Sequence, residues 1–424
     1  MSAPTVAQPP QNLPVSRTVL SNGIVVLTAE NDAADIVSAR MFFRAGSRYE
    51  ALEQAGISHL FTTVLTKGTQ RLSSMEIAER VESVGASLGT DSTSDYCLLS
   101  LKTVSGDFAE ILELAAELLR SPSFPESEVE LERKLALQGI RSMQEQPFAI
   151  AQKQLRQAMY GTHPYALPGL GTEETMAQLS QTDLLKYHQT YFRPDNLVIS
   201  IAGNVTQEDA IALVQENFGD WRSPDSPLDE PTLPSVVPNP RRMAIPQDTQ
   251  QAIVMLGYLT AAVRHSDYIP LKLINTYLGN GLSSRLFVEL REKQGLAYEV
   301  SGFYPTRVDT SQFVVYMGTA PGNVAIALDG LRREVDRLAQ IELPEAELQT
   351  AKNKLLGQYA LGKQTNAQIA QLYGWYEILG LGIDFDVAFQ GAIAAVDAAT
   401  VQAVAQRYFI EPYISLVGPA AAIE

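Results

Sequence analysis

Cysteine, histidine and positive charge are all scarce in this chain. A single cysteine, Cys97, cannot close an intramolecular disulfide and excludes a cysteine-rich metal site; in its apolar stretch it reads as a small buried residue on a strand. The 32 Lys and Arg residues are outnumbered by 48 Asp and Glu, for a formal net charge of -16. No local Lys/Arg cluster reverses that balance, so nucleic acid is not an expected partner. No run of about eighteen consecutive apolar residues occurs, so no membrane span is expected. The opening residues, polar and Pro-rich, lack the basic start and apolar run of a secretory signal. Residues 1–15 read as a disordered leader, and a cytoplasmic location is the expectation. What is present, 46% hydrophobic and 19% charged residues over 424 positions, is ordinary globular composition, with two domains of about 200 residues as the natural division.

The segment SPDSPLDEPTLPSVVPNP, from Ser223 to Pro240, holds six prolines without an apolar period and reads as a stiff, extended connector. It divides the chain into 16–222, the connector 223–241, and 242–424. The two sides share landmarks. Phe124-Pro125-Glu126 and Leu343-Pro344-Glu345, 219 residues apart, each open a long helical pattern with Pro near the first turn. Tyr191-Phe192 and Tyr408-Phe409, 217 apart, each close a helix and lead into a buried-strand run, LVISIAG from Leu197 and YISLVG from Tyr413. Matching order and spacing imply an ancient duplication. Further strands are expected over Gly23–Ala29, Ile36–Arg44, Tyr96–Val104, Gln251–Tyr258 and Gln312–Met317. The fold class is α+β: two duplicated sandwich domains of similar fold rather than a doubly wound parallel sheet.

In GISHLFTTVLTKGT, from Gly56, the residues Ile57, Leu60, Phe61, Val64 and Leu65 form one apolar helical stripe. His59, Thr62, Thr63 and Thr66 project from the remaining face. Threonine is a mediocre helix former, so this face reads as the lining of a cleft rather than as a plain solvent face.

This run resembles the signature helix of the pitrilysin/insulinase family of zinc peptidases, nearest to the branch of mitochondrial processing peptidases and their bacterial relatives. That family carries an H-x-x-E-H motif, two zinc-binding histidines flanking a water-activating glutamate. The resemblance places the first histidine at His59, the catalytic glutamate position at Thr62 and the second histidine position at Thr63. The family's third ligand is a glutamate on a later helix, seven residues after another acid. LERKLALQGIRSM matches that helix, with Glu132 as the earlier acid and Gly139 at the ligand position. One imidazole falls short of the three ligands a catalytic zinc needs, and a threonine hydroxyl is not a general base near neutral pH. No intrinsic metal site or catalytic residue is therefore expected. His163, in the turn-rich GTHPYALPGLGT, His188 and His265 have no second ligand at metal-binding spacing and read as structural or exposed.

The run LGNGLSSRLFVELREKQGLAYEV, Leu278–Val300, reads as a turn, a helix capped by Ser283 or Ser284 and ended by Gly295, and a strand from Leu296 to Tyr304. It resembles the same family's substrate-binding element, an arginine and a tyrosine seven residues apart, here Arg291 and Tyr298. The resemblance implies that they hydrogen-bond substrate backbone near the scissile carbonyl, roles apt for a guanidinium and a phenol. Two functions follow. In the first, the chain is the zinc-free subunit of a heteromeric endopeptidase, binding peptide or unfolded polypeptide for a homologous partner that carries zinc and an intact H-x-x-E-H, with a homodimer as the form of the isolated chain. In the second, it is a non-peptidase scaffold or peptide-binding protein, like the core subunits of respiratory complexes that resemble processing peptidases. Retention of the whole Arg/Tyr run favours the first.

Overall fold

A computed structural model describes residues 13–424; the expected leader lies outside the described residues except for its last three positions. Two mixed sheets follow one another along the chain. The first holds β1 (Ser16–Val19), β2 (Val25–Glu30), β3 (Ile36–Phe43), β4 (Ser87–Ser92), β5 (Cys97–Val104) and β6 (Leu197–Gly203), in the order β1-β2-β6-β3-β5-β4. The second holds β7 (Arg242–Pro246), β8 (Ala252–Thr260), β9 (Ala297–Phe303), β10 (Ser311–Thr319) and β11 (Tyr413–Gly418), in the order β7-β11-β8-β10-β9. With β1 set aside the two orders are the same. In each sheet the one parallel pair occupies the same place: β2 beside β6, and β7 beside β11. The duplication read from two short landmarks thus extends to the whole strand topology.

The expected strands form within a few residues of their expected limits. The ones not anticipated are β1, β4 and β7, short edge or near-edge strands whose sequences, such as SLGTDS for β4, lack the apolar or β-branched character that marks a strand. Pro125 and Pro344 sit at the N-cap of the helices Glu126–Glu145 and Glu345–Leu361, one residue earlier than a first-turn position. The stretch 223–241 contains no helix or strand.

Both sheets are buried on both faces. In β3, Val37, Ala39, Met41 and Phe43 face the main core of the first half while Phe42 faces the opposite way. In β8, Val254 and Leu256 face the second core and Ile253 and Met255 face away. The outer faces are covered by exchange. The helix Asn366–Ile378, from the second half, lays Ile369, Ala370, Tyr373 and Tyr376 on the first sheet. The helix Pro147–Tyr160, from the first half, lays Ala151, Leu155 and Met159 on the second sheet. Close approach is built in at glycines: a Cβ on Gly374 would lie 2.2 Å from Phe42 Cε2, and one on Gly257 would lie 2.8 Å from Met159 Sδ. Burying each large apolar side chain in these layers contributes about 1.5–3 kcal/mol, so the exchange ties the two halves into one unit.

Candidate functional site

The helix Ile57–Leu65 buries its whole expected stripe, Ile57, Leu60, Phe61, Val64 and Leu65. Its N-terminus starts from Gly56 in the left-handed region (φ 93°) with no side-chain cap of its own. The free N–H groups are met instead by Glu50, whose two carboxylate oxygens accept from Gly56 N at 2.8 Å and Ser58 N at 3.0 Å. Burial pushes the Glu50 carboxyl above its ordinary value, against the pull of these hydrogen bonds.

Of the polar face expected to line a cleft, only His59 does so: Thr62 is buried, and Thr63 and Thr66 are half-buried outside the cavity lining. The Thr62 hydroxyl donates to the Ser58 and His59 carbonyls at 2.9 and 3.0 Å, and its own carbonyl accepts from Thr90 Oγ1 at 2.6 Å. The Thr63 hydroxyl donates to Leu60 O at 3.0 Å. Both hydroxyls are thus turned back onto the helix. The cleft that His59 lines is a cavity of about 1020 Å³ shared with Glu50, Ser58, Ile140, Arg156 and Arg307. Burial lowers the His59 pKa, while Glu132 and Asp91 act in the opposite direction, so the imidazole is held toward its neutral form.

The Glu126–Glu145 helix packs beside the His59 helix, as the resemblance implies. Glu132 pairs with Lys67 at 3.0 Å. A Cβ on Gly139 would lie 3.4 Å from Leu170 Cδ1, an ordinary contact, so there is room for a side chain and the ligand is missing only because the residue is glycine. A zinc ion of the kind the resemblance implies does not fit this donor set. It offers one imidazole nitrogen, two hydroxyls already donating to backbone, a carboxylate engaged by a lysine, and a glycine. Among the described residues no group of three or more His, Cys, Asp or Glu stands together as a metal site.

Arg291 and Tyr298 do not line the cavity that holds His59. Both are exposed, Tyr298 at 58%, and each sits on irregular backbone. The expected regular helix is instead a short turn running into a π-helical segment, Phe287–Glu292, with Arg291 in it. Ser284 does not cap it; its hydroxyl is buried without a partner. Gly295 does end it with a left-handed residue, φ 64°. Tyr298 is the extra residue of a β-bulge: Ala297 pairs with Thr319 and Glu299 with Gly318, leaving Tyr298 unopposed on the edge strand β9. π-Segments and bulges are enriched at functional sites because they re-aim side chains. The Arg291 guanidinium lies 4.9 Å from the Phe287 ring centroid.

The other histidines have structural roles. His163 caps a short turn, its Nδ1 accepting from Tyr165 N at 3.1 Å. His188 bonds the Leu119 carbonyl through Nε2 at 2.7 Å. His265 Nδ1 accepts from Asp267 N at 3.1 Å. Cys97 is fully buried on β5, and burial pushes its thiol up to about 12. Glu50, Arg156 and Arg307 were not legible in the sequence because the cavity that brings them together is assembled from separate elements; only the turn-rich GSRYE context around Glu50 offered a signal.

Comparison with known proteins adds a lineage to this geometry. Residues 25–173 match the family described as insulinase (peptidase family M16), and residues 178–355 match the domain described as peptidase M16 inactive domain. An uncharacterized zinc protease of Bacillus subtilis is 27% identical over 409 residues, spanning 96% of this chain and 98% of its own. Another, from Mycobacterium leprae, is 28% identical over 413 residues, spanning 95% and 92%. Among solved structures, a peptidase M16 inactive domain from Pseudomonas fluorescens has a TM-score of 0.90 at 24% identity, covering 97% of this chain and 100% of its own. A protease from Helicobacter pylori has a TM-score of 0.87 at 22% identity, covering 96% and 99%. These two structures share the fold.

Proposed function

The chain belongs to the insulinase-type M16 peptidase family, and from that premise we propose that it is a non-catalytic subunit of a zinc-dependent processing-type endopeptidase. Its role is to hold a peptide or unfolded polypeptide through Arg291 and Tyr298 while a homologous partner, carrying zinc on an intact H-x-x-E-H helix, cuts it. The observation that carries this reading is the contrast between the two sites. At the family's zinc positions Thr62 and Thr63 spend their hydroxyls on backbone carbonyls and Gly139 has no side chain to offer. Arg291 and Tyr298, in contrast, are solvent-facing on a π-segment and a bulge, free to meet a ligand. A guanidinium and a phenol donate to carbonyl oxygens, and a phenol placed where an oxyanion develops stabilises it. Zinc is then a cofactor of the partner and not of this chain.

One observation favours a scaffold or plain peptide-binding role instead: Arg291 and Tyr298 lie outside the lining of the His59 cavity. Co-purification from the native cell, followed by assays of the reconstituted pair, separates the two. Arg291→Ala and Tyr298→Phe are expected each to lower turnover by about a hundredfold or more, the scale of losing one oxyanion-type donor, with assembly intact by gel filtration. Unchanged turnover in both variants would favour the scaffold.

A further inference from the structure

The cavity that holds His59 is lined by Lys153 and by two arginines, Arg156 and Arg307, neither of which forms a side-chain ion pair within 4 Å among the described residues. Arg156 comes from the exchanged helix Pro147–Tyr160 and Arg307 from the loop between β9 and β10, so the two halves each supply one. Arg156 Nε is sealed from solvent with no hydrogen-bond partner among the described residues, and so is the hydroxyl of Tyr160, on which both guanidinium groups act. Burial, and then repulsion from Arg307, bring Arg156 down to about 10. Arg307 lies over the Tyr165 ring, 5.1 Å from its centroid.

Most of the carboxylates around them are engaged elsewhere, with Asp95 acting on Arg307 as a charge and Glu174 standing exposed on the cavity wall. Asp95 accepts from the Tyr165 hydroxyl and Asp309 pairs with Arg48 at 2.6 Å. On the cavity wall, Glu50 accepts from Gly56 and Ser58, and Glu173 from Arg141 Nε at 2.8 Å. Leaving two neighbouring guanidinium groups in a partly dry wall with only Asp95, itself bonded by Tyr165, to offset them costs stability unless a further anion arrives. Their planar donor forks match a carboxylate, and the volume, about 1020 Å³, admits a peptide segment rather than a lone ion.

We propose that Arg156 and Arg307 form a carboxylate-binding subsite in this cavity, which receives a peptide's C-terminal carboxylate or an acidic side chain beside His59. The choice of a peptide as the carrier rests on the function proposed above; the demand for a carboxylate rests on the cation pair. The subsite gives a strongly acidic chain one local place to hold an acidic group.

The test uses the purified full chain and three fluorescein-labelled, unstructured Gly/Ser/Ala peptides: one with a free C-terminus, its C-terminal amide, and the amide with one central Glu. Fluorescence anisotropy is expected to show the free-acid or the Glu-containing peptide binding at least about tenfold tighter than the plain amide. Which of the two gains identifies the source of the carboxylate. Arg156→Met with Arg307→Gln is expected to abolish that preference. As a fold control, Arg156→Met alone is expected to raise the melting temperature of the free chain, because it removes an uncompensated cation while keeping apolar volume. Equal binding of all three peptides, or a preference that survives the double variant, overturns the subsite and leaves peptide binding standing. Binding of none of the three overturns both readings. Arg291→Ala weakening all three alike, with the acid preference intact, marks the two sites as separate and supports this one.

Discussion

Glu50 caps the His59 helix from inside the protein, and that position makes stability depend on pH in a defined sense. Its folded-state pKa is raised above the ordinary value of 4.5 by burial, so between that value and the raised one the folded chain holds a proton that the unfolded chain has released. The native state then binds more protons, and this group's contribution to stability falls as pH rises through the window. Glu50→Gln keeps the shape and removes the titration. The stability–pH curves of the two chains, from urea unfolding, are expected to converge at acid pH and separate above about 4.5, the wild type losing ground. Parallel curves would mean that Glu50 does not titrate in this way. The residue types at 59, 62, 63 and 139 were readable in the sequence, and so was the shortfall of zinc ligands. The fate of their side chains was not, because the bonds of Thr62 to Ser58 and His59 and of Thr63 to Leu60 depend on rotamers and local packing.

At the scale of elements, the exchanged helices are where sequence pattern runs out. An apolar face tells which side of a helix is buried, not which sheet it meets, so nothing in residues 366–378 announced that they cover the first half. Most of the strands were legible, because buried strands such as LVISIAG declare themselves by composition, but their order within each sheet was not. The π-segment around Arg291 and the bulge at Tyr298 were not legible either, since ordinary helix and strand residues occupy them. The glycines of the exchange give a graded prediction. Gly374→Ala drives a Cβ to within 2.2 Å of Phe42, which is wholly buried and rigid, and is expected to cost about 2–3 kcal/mol. Gly257→Ala meets Met159 at 2.8 Å, and a flexible methionine yields, for a cost of about 1 kcal/mol. Denaturant midpoints with unchanged slopes check the order; the reverse order would contradict the packing.

For the whole molecule, the exchange means that the connector 223–241 is not what holds the halves together. A protease site engineered beside Val237, 75% exposed, is expected to yield a nicked chain that still elutes undivided in gel filtration, because each half would otherwise strip a helix from the other's sheet. Separation without denaturant would contradict that architecture. The same coupling places residues of both halves around one cavity, while the Arg291 and Tyr298 pair stays on the edge of the second sheet. On the function proposed above, a protein so arranged holds substrate and leaves the metal chemistry to another chain. The most direct measurement strips the purified chain with chelator, reloads it with zinc, and records metal content and peptide hydrolysis with and without an H-x-x-E-H-bearing relative from the same cell. The account predicts substoichiometric zinc and no hydrolysis by the chain alone, with hydrolysis in the mixture exceeding that of the relative by itself. One tightly held zinc per chain together with hydrolysis by this chain alone would contradict it.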